Sequence, residues 1–218
     1  MSAGGCQRLP TALPRRKNEA ARAVRRRGGR PMILRFFRRN NERETIQRLY
    51  GAIVAHSRDP AFYTQYGVPD TIEGRFEMIL VHAFLLFHRL KSESEERRAL
   101  GQRVFDAFCT DMDANLREMG VGDLTVPKKM KKVAEAYFGR TGAYDEALGR
   151  DDGAALTDAV LRNVYAADAA RQGEAEALAA YIVEAVGALA DVPYETLAGG
   201  ELPLPAASRE GSKEHNAP

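Results

Sequence analysis

The sequence predicts an all-α fold, a single compact domain of about six or seven helices over residues 40–195. Three observations carry that prediction. Apolar residues recur at helical spacing almost without interruption from Asn41 onward. No run alternates apolar and polar residues for long enough to form a half-buried strand. Capping residues and Gly or Pro breakers divide the periodic stretches into segments of ordinary helix length.

The first helix begins near Asn41, where Ile46, Leu49, Tyr50, Ile53 and Val54 make one apolar stripe. Asp59-Pro60 ends it or begins the next turn. Phe62, Tyr63, Tyr66 and Pro69 form an aromatic connector that should lie on the core. Asp70 or Thr71 can cap the following helix, with Glu73 and Glu77 near its positive end. That helix, about 72–91, has Ile72, Phe76, Ile79, Leu80, Ala83, Phe84, Phe87 and Leu90 at helical spacing, and Leu85 and Leu86 besides. Its apolar face is too wide for a surface helix, so it is expected at the centre of the domain.

Residues 92–96 start another helix that runs to about Met119, with Leu100, Val104, Phe105, Phe108, Met112 and Leu116 inward. Gly120-Val121-Gly122 stops it, and Thr125-Val126-Pro127 starts the next, with Pro at an early helical position. Val133, Ala134, Tyr137 and Phe138 then face inward, and Gly139 to Gly142 predicts a break followed by a short turn over 144–148. Leu156, Val160, Leu161, Val164 and Tyr165 mark a helix within 153–169, and an alanine-rich helix follows at 173–190. Residues 196–218 read as an extended or disordered C-terminal tail.

The net charge of +2 conceals an asymmetry. Residues 1–31 hold nine Arg or Lys and one acid, which leaves 23 basic and 29 acidic residues in 32–218. The slightly basic character therefore belongs to the tail and does not argue for a nucleic-acid-binding fold. Residues 1–31, rich in Arg, Gly and Pro, are expected to be disordered. They can be read as a presequence, as a basic arm for anionic lipid or RNA, or as sequence upstream of a true start at Met32, the reading favoured here. The longest apolar stretch, Met78 to Phe87, covers half of a hydrocarbon core and reads as a buried helix. The two cysteines, Cys6 and Cys109, are far apart, which suits a reducing compartment.

No catalytic motif emerges. His82 and His88 are six positions apart, about 240° around a helix, and share no face. The paired Glu-x-x-His motifs of a di-iron bundle and the Cys or His spacings of metal sites are missing, so no metal site and no cofactor are expected. Haem ligation by His82 is the alternative to a satisfied core histidine. Cys109, among Phe105, Phe108 and Met112, reads as a small buried side chain. The polar residues that stand out look like contact groups. Asp111 and Asp113 lie on an acidic face that could meet a basic partner. Lys128, Lys129, Lys131 and Lys132 crowd the first turns of a helix, where each exposed cation costs about 0.3–1 kcal/mol, which leaves room for a functional reason such as an anionic partner or surface. They make a thin footprint for nucleic acid without interleaved aromatics or a Gly-rich phosphate loop. Arg162 and Asn163 form a polar pair near Tyr165. Ile33, Leu34, Phe36 and Phe37, interleaved with arginines, could enter an anionic membrane surface or pack on the core.

Three segments carry a family likeness: IEGRFEMILVHAFLLFHRL (72–90), FDAFCTDMDANLREMGVGDLTVPKKMKKVAEAYFGRTGAYDEAL (105–148) and LRNVY (161–165). In these the chain resembles the ubiquinol–cytochrome c chaperones, in particular their bacterial branch. The resemblance implies an all-helical, non-enzymatic assembly factor for the ubiquinol–cytochrome c reductase complex. Its expected partners are cytochrome b or another subunit of that complex, with a small partner protein, near the ribosome exit. It would hold the apoprotein until haem insertion and hand-off. A cytoplasmic location follows, peripheral on the inner face of the cytoplasmic membrane, or the mitochondrial matrix in a eukaryote. The likeness supplies no catalytic residues. A client-binding role further predicts an exposed apolar or mixed groove of more than a few hundred Å².

Overall fold

A computed structural model describes residues 32–207, with side chains described from residue 41. Every regular element among them is helical. Six helices of twelve residues or more build the domain: α1 (Met32–Ser57), α3 (Ile72–Leu90), α4 (Glu95–Glu118), α5 (Val126–Gly149), α6 (Gly153–Val164) and α7 (Gln172–Ala190). Two single-turn helices, α2 (Pro60–Thr64) and α8 (Tyr194–Ala198), and a 3₁₀ turn at Ala169–Arg171 complete it. The expectations for residues 1–31 and for the side chains of Ile33, Leu34, Phe36 and Phe37 fall outside the described residues.

Helix α3 is the centre. It packs against α1, α4, α5, α6 and α7. Met78, Leu80, Val81, Phe84, Leu85, Leu86 and Leu90 are all buried, so consecutive positions point into different neighbours rather than along one stripe. Ile72, expected inward, is 76 % exposed, because the first turn of α3 projects beyond the helices around it. Thr71 is the N-cap, its hydroxyl accepting from Gly74 N–H at 3.1 Å. Gly74 lies so close to the preceding loop that a Cβ there would sit 2.0 Å from the Pro69 carbonyl oxygen.

Two polar groups on α3 are fully enclosed and both are paired. His82 is wholly buried, with Nδ1 2.8 Å from the Met78 carbonyl oxygen. A carbonyl can only accept, so Nδ1 carries the proton and Nε2 accepts from the Tyr181 hydroxyl at 3.4 Å. Glu77 receives both Nε and Nη2 of Arg140 on α5, each at 2.5 Å. This bidentate pair bolts α5 onto the central helix.

The predicted break in α5 is absent. The helix runs unbroken from Val126 to Gly149. Gly139 and Gly142 have open space where a Cβ would be, so they lie on the outer side and their flexibility is the only cost. Each costs about 1 kcal/mol relative to Ala in a helix. Burial of Tyr137, Tyr144 and Ala147 on the same helix exceeds that, at about 1.5–3 kcal/mol for each large side chain.

The chain beyond α7 is more ordered than an extended tail suggests. Arg89 donates to the Val192 carbonyl at 2.8 Å, and its guanidinium also binds Glu93. Arg97 lies over the Tyr194 ring. Thr45 of α1 donates to the Ala198 carbonyl at 2.9 Å. Gly200, at φ +84°, passes against Arg48 on α1, where a Cβ would come within 2.9 Å. Leu197, Leu202 and Ala207 are buried in the same core. From Glu201 to Ala207 the backbone is irregular, as an extended segment would be.

Removing one partner of the buried pair should be costly. Arg140→Ala is expected to lower the unfolding free energy by about 3 kcal/mol in urea denaturation, and the Glu77→Leu/Arg140→Leu double variant to recover most of that loss. Burial holds the His82 imidazole down at about 4. Its ordinary value is near 6.5, so the folded state prefers the neutral ring. The stability this contributes is complete above about pH 6.5 and is lost as pH falls toward 4, about 3 kcal/mol in all. His82→Gln should flatten the decline in stability measured between pH 7 and pH 4.

Candidate binding surface

The turn between α4 and α5 brings together four lysines and two of the most exposed apolar side chains, Leu124 and Met119. Its backbone is tightly held: Val121 N–H donates to the Leu116 carbonyl at 3.0 Å, and Thr125 N–H to the Gly122 carbonyl at 2.7 Å. Gly120, at φ +79°, closes the end of α4. Leu124 is 90 % exposed and Met119 64 %. Lys128, Lys129, Lys131 and Lys132 follow directly, all exposed. Lys131 lies 3.6 Å from Glu135, a loose surface pair, while no described residue pairs with Lys128, Lys129 or Lys132. Thr125 lends no side-chain cap to α5, so the cations stand at an uncompensated positive helix end.

The acidic residues singled out from the sequence are engaged inside the molecule. Asp111 accepts from the Tyr50 hydroxyl at 2.7 Å and from Asn115 at 3.1 Å, which ties α4 to α1. Burial, and then this hydrogen bond, raise the Tyr50 hydroxyl far above its ordinary value. Asp113 pairs with Arg117 at 2.7 Å, and Arg117 reaches on to Asp123 in the turn. That chain shapes the turn and neutralises its nearest acid. Arg162 is exposed on α6, while Asn163 donates to the Tyr144 hydroxyl at 3.4 Å, deep in the second half of α5. Twelve residues separate Tyr144 from Lys132, about 18 Å along a helix, so Arg162 and Asn163 lie apart from the lysines.

A small apolar crevice of about 10 Å³, room for little more than one water, lies between α1, α3, α4 and α5, lined by Tyr50, Ile79, Phe87, Phe105, Phe108 and Tyr137. Cys109, next to that wall, is buried. His82 sits behind it in a box of His56, Phe62 and Tyr181 rings. With Nδ1 bonded to Met78 and Nε2 facing Tyr181, both ring nitrogens look onto packed protein, which does not fit a haem ligand. Sequence reasoning missed Tyr50, Glu77 and Arg140. Their partners lie 61 and 63 positions away, and only an unusual acid on the most apolar helix hinted at the second pair. A further tie links Asp145 of α5 to His88 and Lys91 of α3. Burial acts to raise the Asp145 carboxyl, and the hydrogen bonds from His88 and Lys91, with the charge of Lys91, hold it below its ordinary value.

The described residues form one all-helical domain with an exposed cationic, apolar-tipped turn between α4 and α5. The chain belongs to the ubiquinol-cytochrome C chaperone family, which its residues 64–204 match. The crystal structure of the Cbp3 homolog from Brucella abortus is 40 % identical and superposes with a TM-score of 0.72, covering 81 % of this chain and 98 % of that one. Ubiquinol-cytochrome-c reductase complex assembly factor 1 of Xenopus laevis is 24 % identical over 157 residues, 72 % of this chain and 76 % of that protein. The human protein of that name is 24 % identical over 105 residues, 48 % of this chain and 35 % of its own length. The chain thus spans about a third of the human relative. The Xenopus and human relatives are named as assembly factors of the ubiquinol–cytochrome c reductase complex, a name that implies a non-enzymatic role.

The misplaced lysines should cost stability. Lys128→Gln/Lys129→Gln is expected to raise the unfolding free energy by about 0.5–1 kcal/mol, because it removes cations from the positive end of α5. Thermal or urea denaturation at low salt measures it, and the gain should shrink at high salt.

Proposed function

We propose that this chain is a chaperone that binds cytochrome b while the ubiquinol–cytochrome c reductase complex is assembled. Family membership carries the reading, above all the 40 % identity to the Cbp3 homolog over nearly all of that chain. The physical character of the domain supports it. Its polar groups of unusual burial, Glu77 and His82, are committed to internal bonds, and a cluster of four exposed lysines lies at the α4–α5 turn. Such an arrangement suits holding a partner more than reacting with one.

In this reading the lysines of the turn are contact groups during assembly, while Asp111 and Asp113 support the fold around them. A small partner protein would share the surface, and the chain would act at the inner face of the cytoplasmic membrane. Among the described residues no helix is long and apolar enough to cross a membrane.

Deleting the gene in its own cells should abolish the assembled reductase, seen as loss of the complex on native gels and of ubiquinol-dependent cytochrome c reduction. Expression of the full chain should restore both. Normal assembly in the deletion strain would overturn the proposal.

A further inference from the structure

We propose that the α4–α5 turn docks on an anionic lipid surface, with Leu124 and Met119 entering the headgroup layer and Lys128, Lys129, Lys131 and Lys132 on lipid phosphates. This goes beyond the client reading, which uses the same lysines but rests on family membership, and the test below separates lipid from client so that either can fail alone. A leucine 90 % exposed at the tip of a turn fixed by its own backbone bonds is presented outward, and Met119 beside it is 64 % exposed. The cations follow within two turns of the same helix. The nearest acid, Asp123, is occupied by Arg117, leaving Glu118 and Glu135 as the acids close by.

The combination selects the partner. Apolar insertion of two side chains is too weak alone, as is a short run of lysines, but the two together make a stable peripheral contact. The positive end of α5 adds to the attraction. Nucleic acid would be met by aromatic stacking groups, and the turn from Met119 to Lys132 has none. A protein partner with an acidic patch would satisfy the lysines but not require an exposed leucine between them.

Residues 1–31, with nine basic residues and one acid, would draw the chain to anionic vesicles unaided, so the test must read the turn itself. The full chain carrying Cys6→Ser and Leu124→Cys is labelled at position 124 with an environment-sensitive NBD dye; Cys109 is buried. It is mixed with phosphatidylcholine vesicles with or without about 30 % phosphatidylglycerol. The expected result is a blue shift and a several-fold rise in emission with the anionic vesicles only. The same dye at Val183→Cys, an exposed site on α7, should stay unshifted. Replacing all four lysines with Gln should weaken the response at least tenfold. Circular dichroism checks that this exposed-site variant is folded. The proposal is overturned if the dye at 124 stays in water while the chain co-sediments with vesicles, if neutral vesicles shift it equally, or if the lysine variant responds as the parent does. It is also overturned if a detergent-solubilised reductase subunit shifts the dye and vesicles do not.

Discussion

The enclosure of α3 is the constraint on which the rest of the structure depends. A helix that touches α1, α4, α5, α6 and α7 has almost no side left for water. Every polar group along its middle must therefore be paired within the protein or cost several kcal/mol. Glu77 and His82 are such groups. The carboxylate is met by Arg140, and the imidazole by its own helix and by Tyr181. Burial raises the Glu77 carboxyl from its ordinary value, and the hydrogen bonds of Arg140 pull the other way. The pair fixes where α5 lies on α3, and so where the far end of α5, with its lysines, emerges from the domain.

The outline of this arrangement was legible in the sequence where local chemistry decides it. The width of the apolar face of residues 72–91 announced a central helix, and Thr71 announced where it starts. The lysines announced themselves because their position works against helix stability. Features decided by distant partners were not legible. Nothing near Asp111 in sequence points to Tyr50, whose hydroxyl donates to that carboxylate and braces α4 against α1. The continuity of α5 through Gly139 and Gly142 depends on what Tyr137 and Tyr144 bury against, which local propensity does not register. Residues 199–207 look like a loose tail because Pro and Gly break their periodicity, yet Leu202 and Ala207 find places on the core one at a time.

Internal bracing and outward charge are divided along the same helices. The half of α5 that contains Arg140, Tyr144 and Asp145 is tied to α3 and α6 by polar bonds, while the half that contains the lysines is held by apolar packing of Val126, Ala134 and Tyr137 and turns its cations outward. In α4, Asp111 and Asp113 anchor the helix and shape its last turn, and Met119 and Leu124 are left outside. A rigid bundle with one amphipathic projection is well suited to hold a subunit of a larger complex without entering its chemistry. Membership of the ubiquinol-cytochrome C chaperone family gives that physical character its biological setting.

The central claim is that this surface-active bundle holds cytochrome b on its way into the reductase. Photo-crosslinking in living cells, with the reactive group at exposed positions around the domain, followed by identification of the attached proteins, tests it most directly. The account predicts cytochrome b as the principal adduct, from positions that cluster on one side of the domain. Adducts that exclude every subunit of the reductase complex would contradict it.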